Sequence, residues 1–181
     1  MKALQAREGV AALALEFLIL TCGRTGEVIT WAEIDLERVI WTVPAARMKK
    51  EREHRVPFSG AALAIVKALR EVRVSRYVFP GQRRDKPLSS ASMEAVLERM
   101  DMQQHMTVHG FRSSFRDWCG NETSFPRELA EASLAHVVGN QTELAYRRSD
   151  ALERRRVLME AWAAFCAGAS NVVHLRHEAS A

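Results

Sequence analysis

The stretch Thr107-Val-His-Gly-Phe-Arg-Ser-Ser-Phe-Arg-Asp-Trp118 decides how the rest of the chain is read. Phe111, Phe115 and Trp118 recur at helical spacing, and His109 and Arg112 stand three residues apart. On a helix such residues share a face. The pattern predicts a helix ending at Gly120, with its aromatics buried on one side and two basic groups aimed from the other into a cleft. Two cationic groups on one face need an anion or a carboxylate. Glu131 is the carboxylate that would make the pair purely structural.

Outward from this helix, Leu134-Ala-His136 follows, and then Ala145-Tyr-Arg-Arg148 with Tyr146. Far upstream, Cys22-Gly-Arg24-Thr-Gly-Glu27 closes an apolar run. Residues 8–22 read as a buried helix with Gly23 as its C-cap. Two arginines, two histidines and a tyrosine in this order point to a site that grips a phosphate and attacks it.

The 181 residues fit one domain, and a hydrophobic content of 48% is ample for a packed core. Lysine and arginine number 26 against 22 acidic residues, a formal charge of +4. That balance permits a nucleic-acid partner without requiring one. The excess is rich in arginine, whose planar fork donates two parallel hydrogen bonds to a phosphate. Three widely spaced cysteines, with no Cys-x-x-Cys, argue against a disulfide framework or zinc site and fit a reducing cytoplasm. Met1-Lys2 and the run from Val10 to Leu20 faintly suggest a signal peptide, but Glu8 and Glu16 flank and interrupt it. No other run approaches membrane-spanning length.

Trp31–Leu36, Val39–Pro44 and His54–Phe58 read as strands of a small antiparallel sheet. The charged piece Ala45–Glu53 between the last two is the expected hairpin tip. Ser59 caps a helix to about Val72, Ser89 or Ser90 opens another to about Met100, and Pro126 opens one to about Ala135. Residues 141–148 read as a short helix carrying Tyr146. Asp150 caps a last helix over 151–167, with Leu152, Val157, Leu158, Ala161, Trp162 and Phe165 as its buried stripe and Gly168 as its stop. Val172–Leu175 reads as a short strand. The fold class is thus mostly α with a small three-stranded antiparallel sheet.

Taken singly, each candidate has an ordinary explanation. Tyr146 would be helix packing, and His136 a helix-end cap. Arg24 would cap the carbonyls after the first helix, and Lys49 and Lys50 would be a solvated turn. Taken together, Arg24-Thr-Gly-Glu-Val28, Trp31-Ala-Glu-Ile-Asp35, Arg47-Met-Lys49 with His54-Arg-Val-Pro57, Val78-Phe-Pro80, His109-Gly-Phe-Arg112 with Phe115-Arg-Asp-Trp118, Leu134-Ala-His136 and Ala145-Tyr-Arg-Arg148 match one pattern in order and type. The chain resembles the catalytic domain of the tyrosine recombinases, and among them the phage and genomic-island integrases, from about residue 10 to 166.

The resemblance implies roles. Arg24, Arg112 and His109 would bind the scissile phosphate, and His136 would add a hydrogen bond to it. Tyr146 would be the nucleophile, activated by nearby positive charge because its free pKa is about 10. Lys49 would protonate the departing 5′-oxygen, with Lys50 as its rival. Glu27 would orient Arg24 or the adjacent backbone, or be an ordinary surface acid. The bond energy would stay in a 3′-phosphotyrosyl link, so no cofactor and no metal would be needed.

The resemblance further implies double-stranded DNA attachment sites as partner and a homo-tetramer on DNA for a full-length protein. For an isolated domain the expectation is a monomer. Residues 1–167 would be a single catalytic domain without the core-binding and arm-binding domains of full-length integrases. Residues 168–181 would be a tail docking in cis or in trans. Two other functions fit the same residues: a type IB topoisomerase, and a non-catalytic DNA-binding remnant. A helical interaction domain with no DNA role is the blandest reading.

Overall fold

The computed structural model describes residues 1–27, 29–48, 51–136 and 150–169. Lys49, Lys50, Tyr146 and the expected strand at 172–175 lie outside them, as does the expected helix at 141–148. Among the described residues the helices are α1 (Lys2–Gln5), α2 (Val10–Thr21), α3 (Gly60–Glu71), α4 (Ser90–Arg99), α5 (Gly110–Glu122), α6 (Arg127–Ser133) and α7 (Asp150–Cys166). One sheet holds β1 (Ile34–Asp35), β2 (Ile40–Val43) and β3 (His54–Pro57) in that order. Both pairings are antiparallel, with Trp41 opposite Ile34 and Val56, and Val43 opposite His54. The mostly helical class with a small antiparallel sheet is therefore the one observed.

The apolar run of α2 makes it the centre of the core. Leu15, Phe17 and Leu20 are almost fully buried, and Phe17 packs its ring against Trp41, Phe58 and Phe79 at 5.3–6.1 Å between centroids. Glu16 is tolerated in this helix because Gln5 of α1 donates to its carboxylate at 2.7 Å. A second aromatic cluster joins α5 to α7, with Trp162 5.3 Å from Phe115 and 5.1 Å from Trp118.

Polar contacts fix α7 against the rest of the chain. Arg156 donates to the carbonyls of Val39 (3.0 Å) and Arg38 (3.1 Å) in the β1–β2 turn. Glu160 accepts from the Gly60 N–H at the start of α3 (2.8 Å), and the Trp162 indole donates to the Ile19 carbonyl of α2 (2.8 Å). One helix thus holds the sheet, α2 and α3 in register.

Several expectations are corrected. Trp31–Glu33 is a 3-10 turn, and only Ile34–Asp35 is strand, because the Asp35 carboxylate accepts from the N–H groups of Glu37 and Arg38 and turns the chain at once. The left-handed residue that ends α2 is Cys22 (φ 53°), one before the expected Gly23. α5 continues past Gly120 to Glu122, since helical backbone needs no glycine stop there. α6 ends at Ser133, and Ala135 takes the left-handed conformation (φ 55°) that swings His136 out of the helix. The stripe of α7 is rotated: Arg155, Leu158, Met159, Trp162 and Ala163 are buried, whereas Val157 and Phe165 are about half exposed. The Ser59 cap and the Gly168 stop stand as expected, with Ser59 Oγ accepting from Ala62 N at 3.3 Å and Gly168 at φ 82°.

Candidate active site

Four of the sequence-predicted site residues lie among those described: Arg24, His109, Arg112 and His136. Their elements meet where the end of α2, the start of β3, the start of α5 and the end of α6 converge.

Arg112 is the most deeply placed. Each helical residue turns about 100°, so Arg112 falls beside the aromatic stripe of α5 rather than opposite it. It is only 7% exposed. Its guanidinium donates to the Cys22 carbonyl and, at 2.7 Å, to the Leu134 carbonyl. It therefore occupies the carbonyl-capping role expected of Arg24, and ties the ends of α2 and α6 together. Burial, and then the charge of Arg24, lower its pKa from the ordinary arginine value. His109, one turn earlier, is the N-cap of α5 and is exposed. The expected shared orientation into one cleft thus holds less well than the spacing implied: burial separates the pair. The turn before α5 is closed by Thr107, whose Oγ1 accepts from Gly110 N at 3.0 Å.

Arg24 stands beside α2 rather than capping it. Its Nη1 lies 3.5 Å from Met48 Sδ and 3.6 Å from Glu27 Oε1, while Glu27 Oε2 accepts from the Arg24 N–H at 3.0 Å. Glu27 is thus no surface acid: it holds both the side chain and the backbone of Arg24.

His136 is exposed and held at two points. Its N–H donates to the Glu131 carbonyl (2.9 Å), and its Nδ1 lies 2.6 Å from Glu131 Oε2. Glu131 is buried, and also faces Arg116 at 2.9 Å and Arg127 at 3.8 Å. The Arg116 contact is a charge pairing rather than an aligned hydrogen bond. Burial pushes the Glu131 carboxyl up, but the His136 hydrogen bond and the arginine charges outweigh it and hold the carboxyl below its usual range. Glu131 therefore pairs with His136, Arg116 and Arg127, not with Arg112.

Two further residues belong to this region; His54 was quoted within a matching stretch, but the sequence reading gave neither residue a site role. Arg155 of α7, 7% exposed, donates to the Arg55 carbonyl of β3 at 2.8 Å and more weakly to Ser133 Oγ at 3.4 Å. Burial first, then the charge of Arg55, lower its pKa to about 10. His54, at the start of β3, is pushed down to about 3, by burial first and then by the charges of Arg155, Arg24 and Arg112. The charges of three guanidiniums thus act on one neutral imidazole. Among the described residues neither Arg112 nor Arg155 forms an ion pair with a carboxylate. Their hydrogen bonds are met by carbonyls and a hydroxyl, and their charge is left to act on whatever enters. Arg155 was hidden in the run Arg154-Arg-Arg156; its helical register with Leu158 and Trp162 was the available signal.

Fold and site thus define a mostly helical domain that gathers cations for an anion. Residues 1–153 match the family model described as the phage integrase family. The chain belongs to that family. It is 40% identical over 149 residues to prophage integrase IntA of Escherichia coli (strain K12), covering 80% of this chain and 36% of that protein. It is 34% identical over 153 residues to prophage integrase IntZ of the same strain, covering 83% and 38%. It is 31% identical over 159 residues to the integrase of Shigella phage Sf6, covering 85% and 41%. The chain thus spans about two fifths of the length of these relatives. No solved structure matches it significantly.

Proposed function

We propose that this chain is the catalytic part of a site-specific DNA recombinase that breaks and rejoins strands through Tyr146. The observation that carries the reading is the pair of buried guanidiniums, Arg112 and Arg155, which carbonyls and a hydroxyl hold and no carboxylate among the described residues neutralises, with Arg24 and neutral His54 beside them. A phosphodiester supplies the missing negative charge. Its non-bridging oxygens accept from Arg24 and Arg112, with His109 and His136 at the exposed rim. Charge fixed in place before the substrate arrives stabilises the extra charge of the pentavalent transition state without reorganisation.

In the proposed step the Tyr146 phenolic oxygen attacks phosphorus and loses its proton to His109. The P–O5′ bond breaks, and Lys49 protonates the departing 5′-oxygen. The products are a 3′-phosphotyrosyl link and a free 5′-hydroxyl. Attack by the 5′-hydroxyl of another strand reverses the step and exchanges strands. Assembly on paired attachment sites as a homo-tetramer, and a cytoplasmic setting, belong to the same proposal. So does residues 1–167 forming the catalytic domain, followed by a docking tail.

The test is a nicked suicide duplex bearing a candidate attachment site, with products separated on a denaturing gel. A shifted covalent band that is absent from Tyr146→Phe supports the reading. DNA binding without any such band, across a broad panel of sites, favours a module that only occupies DNA.

A further inference from the structure

The contact between Glu131 and His136 fixes more than a ring orientation. An ionised carboxylate only accepts hydrogen bonds, so at 2.6 Å from Glu131 Oε2 the His136 Nδ1 must carry a proton. Glu131 is kept in the ionised form by this contact together with Arg116 and Arg127. With Nδ1 committed as donor, the outer nitrogen Nε2 has two states. In the neutral ring Nε2 is a lone pair, which repels a phosphate oxygen. In the imidazolium it is a donor. With a phosphate oxygen beside Nε2, the imidazolium is the state that makes a hydrogen bond at both ring nitrogens.

We propose that Glu131 is a positioning residue for strand cleavage, holding His136 by Nδ1 so that it meets the scissile phosphate as an imidazolium donating through Nε2. This rests on the recombinase reading above. The geometry around the pair is specific. The helix end is fixed by Arg112 on the Leu134 carbonyl and by Arg155 on Ser133. Left-handed Ala135 then returns His136 toward Glu131 one turn back. Of the charged groups on the described elements, Glu131 touches the ring, while Arg116 of α5 and Arg127 of α6 act on it through that carboxylate. Removing the carboxylate's charge leaves Arg116 and Arg127, its two partners, with no anion between them and the ring.

The experiment is the rate of Tyr146-dependent adduct formation on the suicide duplex, followed in single turnover from pH 5.5 to 9. Glu131→Gln keeps an oxygen that accepts from Nδ1 but removes the charge. Its alkaline fall in rate is expected at lower pH than that of the unmodified protein, with a loss of activity at mid-range pH that is restored at the acid end. A profile lowered equally at every pH, or one unchanged, overturns the proposal. Should the variant not fold, the imidazole nitrogen shifts of 15N-labelled unmodified protein decide. Protons on both ring nitrogens of His136 in the DNA-bound protein support the proposal, and a neutral ring, protonated at either nitrogen alone, overturns it. Failure of the recombinase reading looks different: the unmodified protein forms no adduct, and the proposal falls with it.

Discussion

A buried guanidinium can have its hydrogen bonds met and its charge left over, and Arg155 is in that state. Its partners are the Arg55 carbonyl and the Ser133 hydroxyl, and no carboxylate pairs with it among the described residues. Removing a buried, unpaired cation loses about 1.5–3 kcal/mol per charge-assisted hydrogen bond, and regains the desolvation and repulsion of similar size that the charge imposed. Arg155→Met is therefore expected to change unfolding free energy by no more than about 1 kcal/mol in a urea titration. Affinity for a short DNA duplex should nevertheless fall severalfold, read by fluorescence anisotropy at fixed salt. A large stability loss with unchanged affinity would make Arg155 a structural strut. At this scale the sequence was informative about residue types and silent about pairing. Arg24, His109, Arg112 and His136 were named from order and spacing, yet the choice of Arg112 over Arg24 as the carbonyl cap depends on which guanidinium the packed interior encloses.

Elements were legible where a familiar cap or stop residue marks them, and were misread where a local turn was overlooked, as at Asp35, or where distant residues decide. The Ser59 cap and the Gly168 stop are local, and they were read correctly. The rotation of the α7 stripe is not local: it follows from Arg155, Arg156, Glu160 and Trp162 each finding a partner on another element. The single left-handed residues Cys22 and Ala135 gave no sequence signal, because the usual marker for that conformation is glycine. Two glycines predict opposite outcomes for the same change. A Cβ on Gly81 would stand 2.5 Å from the Pro87 carbonyl oxygen, a backbone atom that cannot move aside. Gly81→Ala should destabilise by about 1–3 kcal/mol. Gly120 lies exposed within α5, with nothing within 4 Å of the added carbon. Gly120→Ala should stabilise by about 0.5–1 kcal/mol through helix propensity alone. Thermal melts of the two variants beside the unmodified chain check both signs.

At the scale of the whole molecule, the cation cluster links the candidate function to acid stability. His54 is held neutral, its pKa pushed down to about 3 by burial and by Arg155, Arg24 and Arg112. In the unfolded chain the same imidazole titrates near 6.5. Between those values the unfolded state binds a proton that the folded state refuses, so stability falls as pH falls. It is complete above about 6.5 and declines at up to about 1.4 kcal/mol per pH unit below it. Ionised Glu131 adds a second decline at lower pH, because its depressed carboxyl favours the folded state only above the ordinary glutamate range. The interval from about 6.5 down to about 4.5 therefore isolates the His54 contribution. His54→Gln, which places a neutral polar group among the same arginines, should flatten the urea midpoint against pH across that interval. A slope unchanged by the substitution would mean that the three guanidiniums do not converge on β3. The mapped site would then lose the neutral centre around which its charge is arranged.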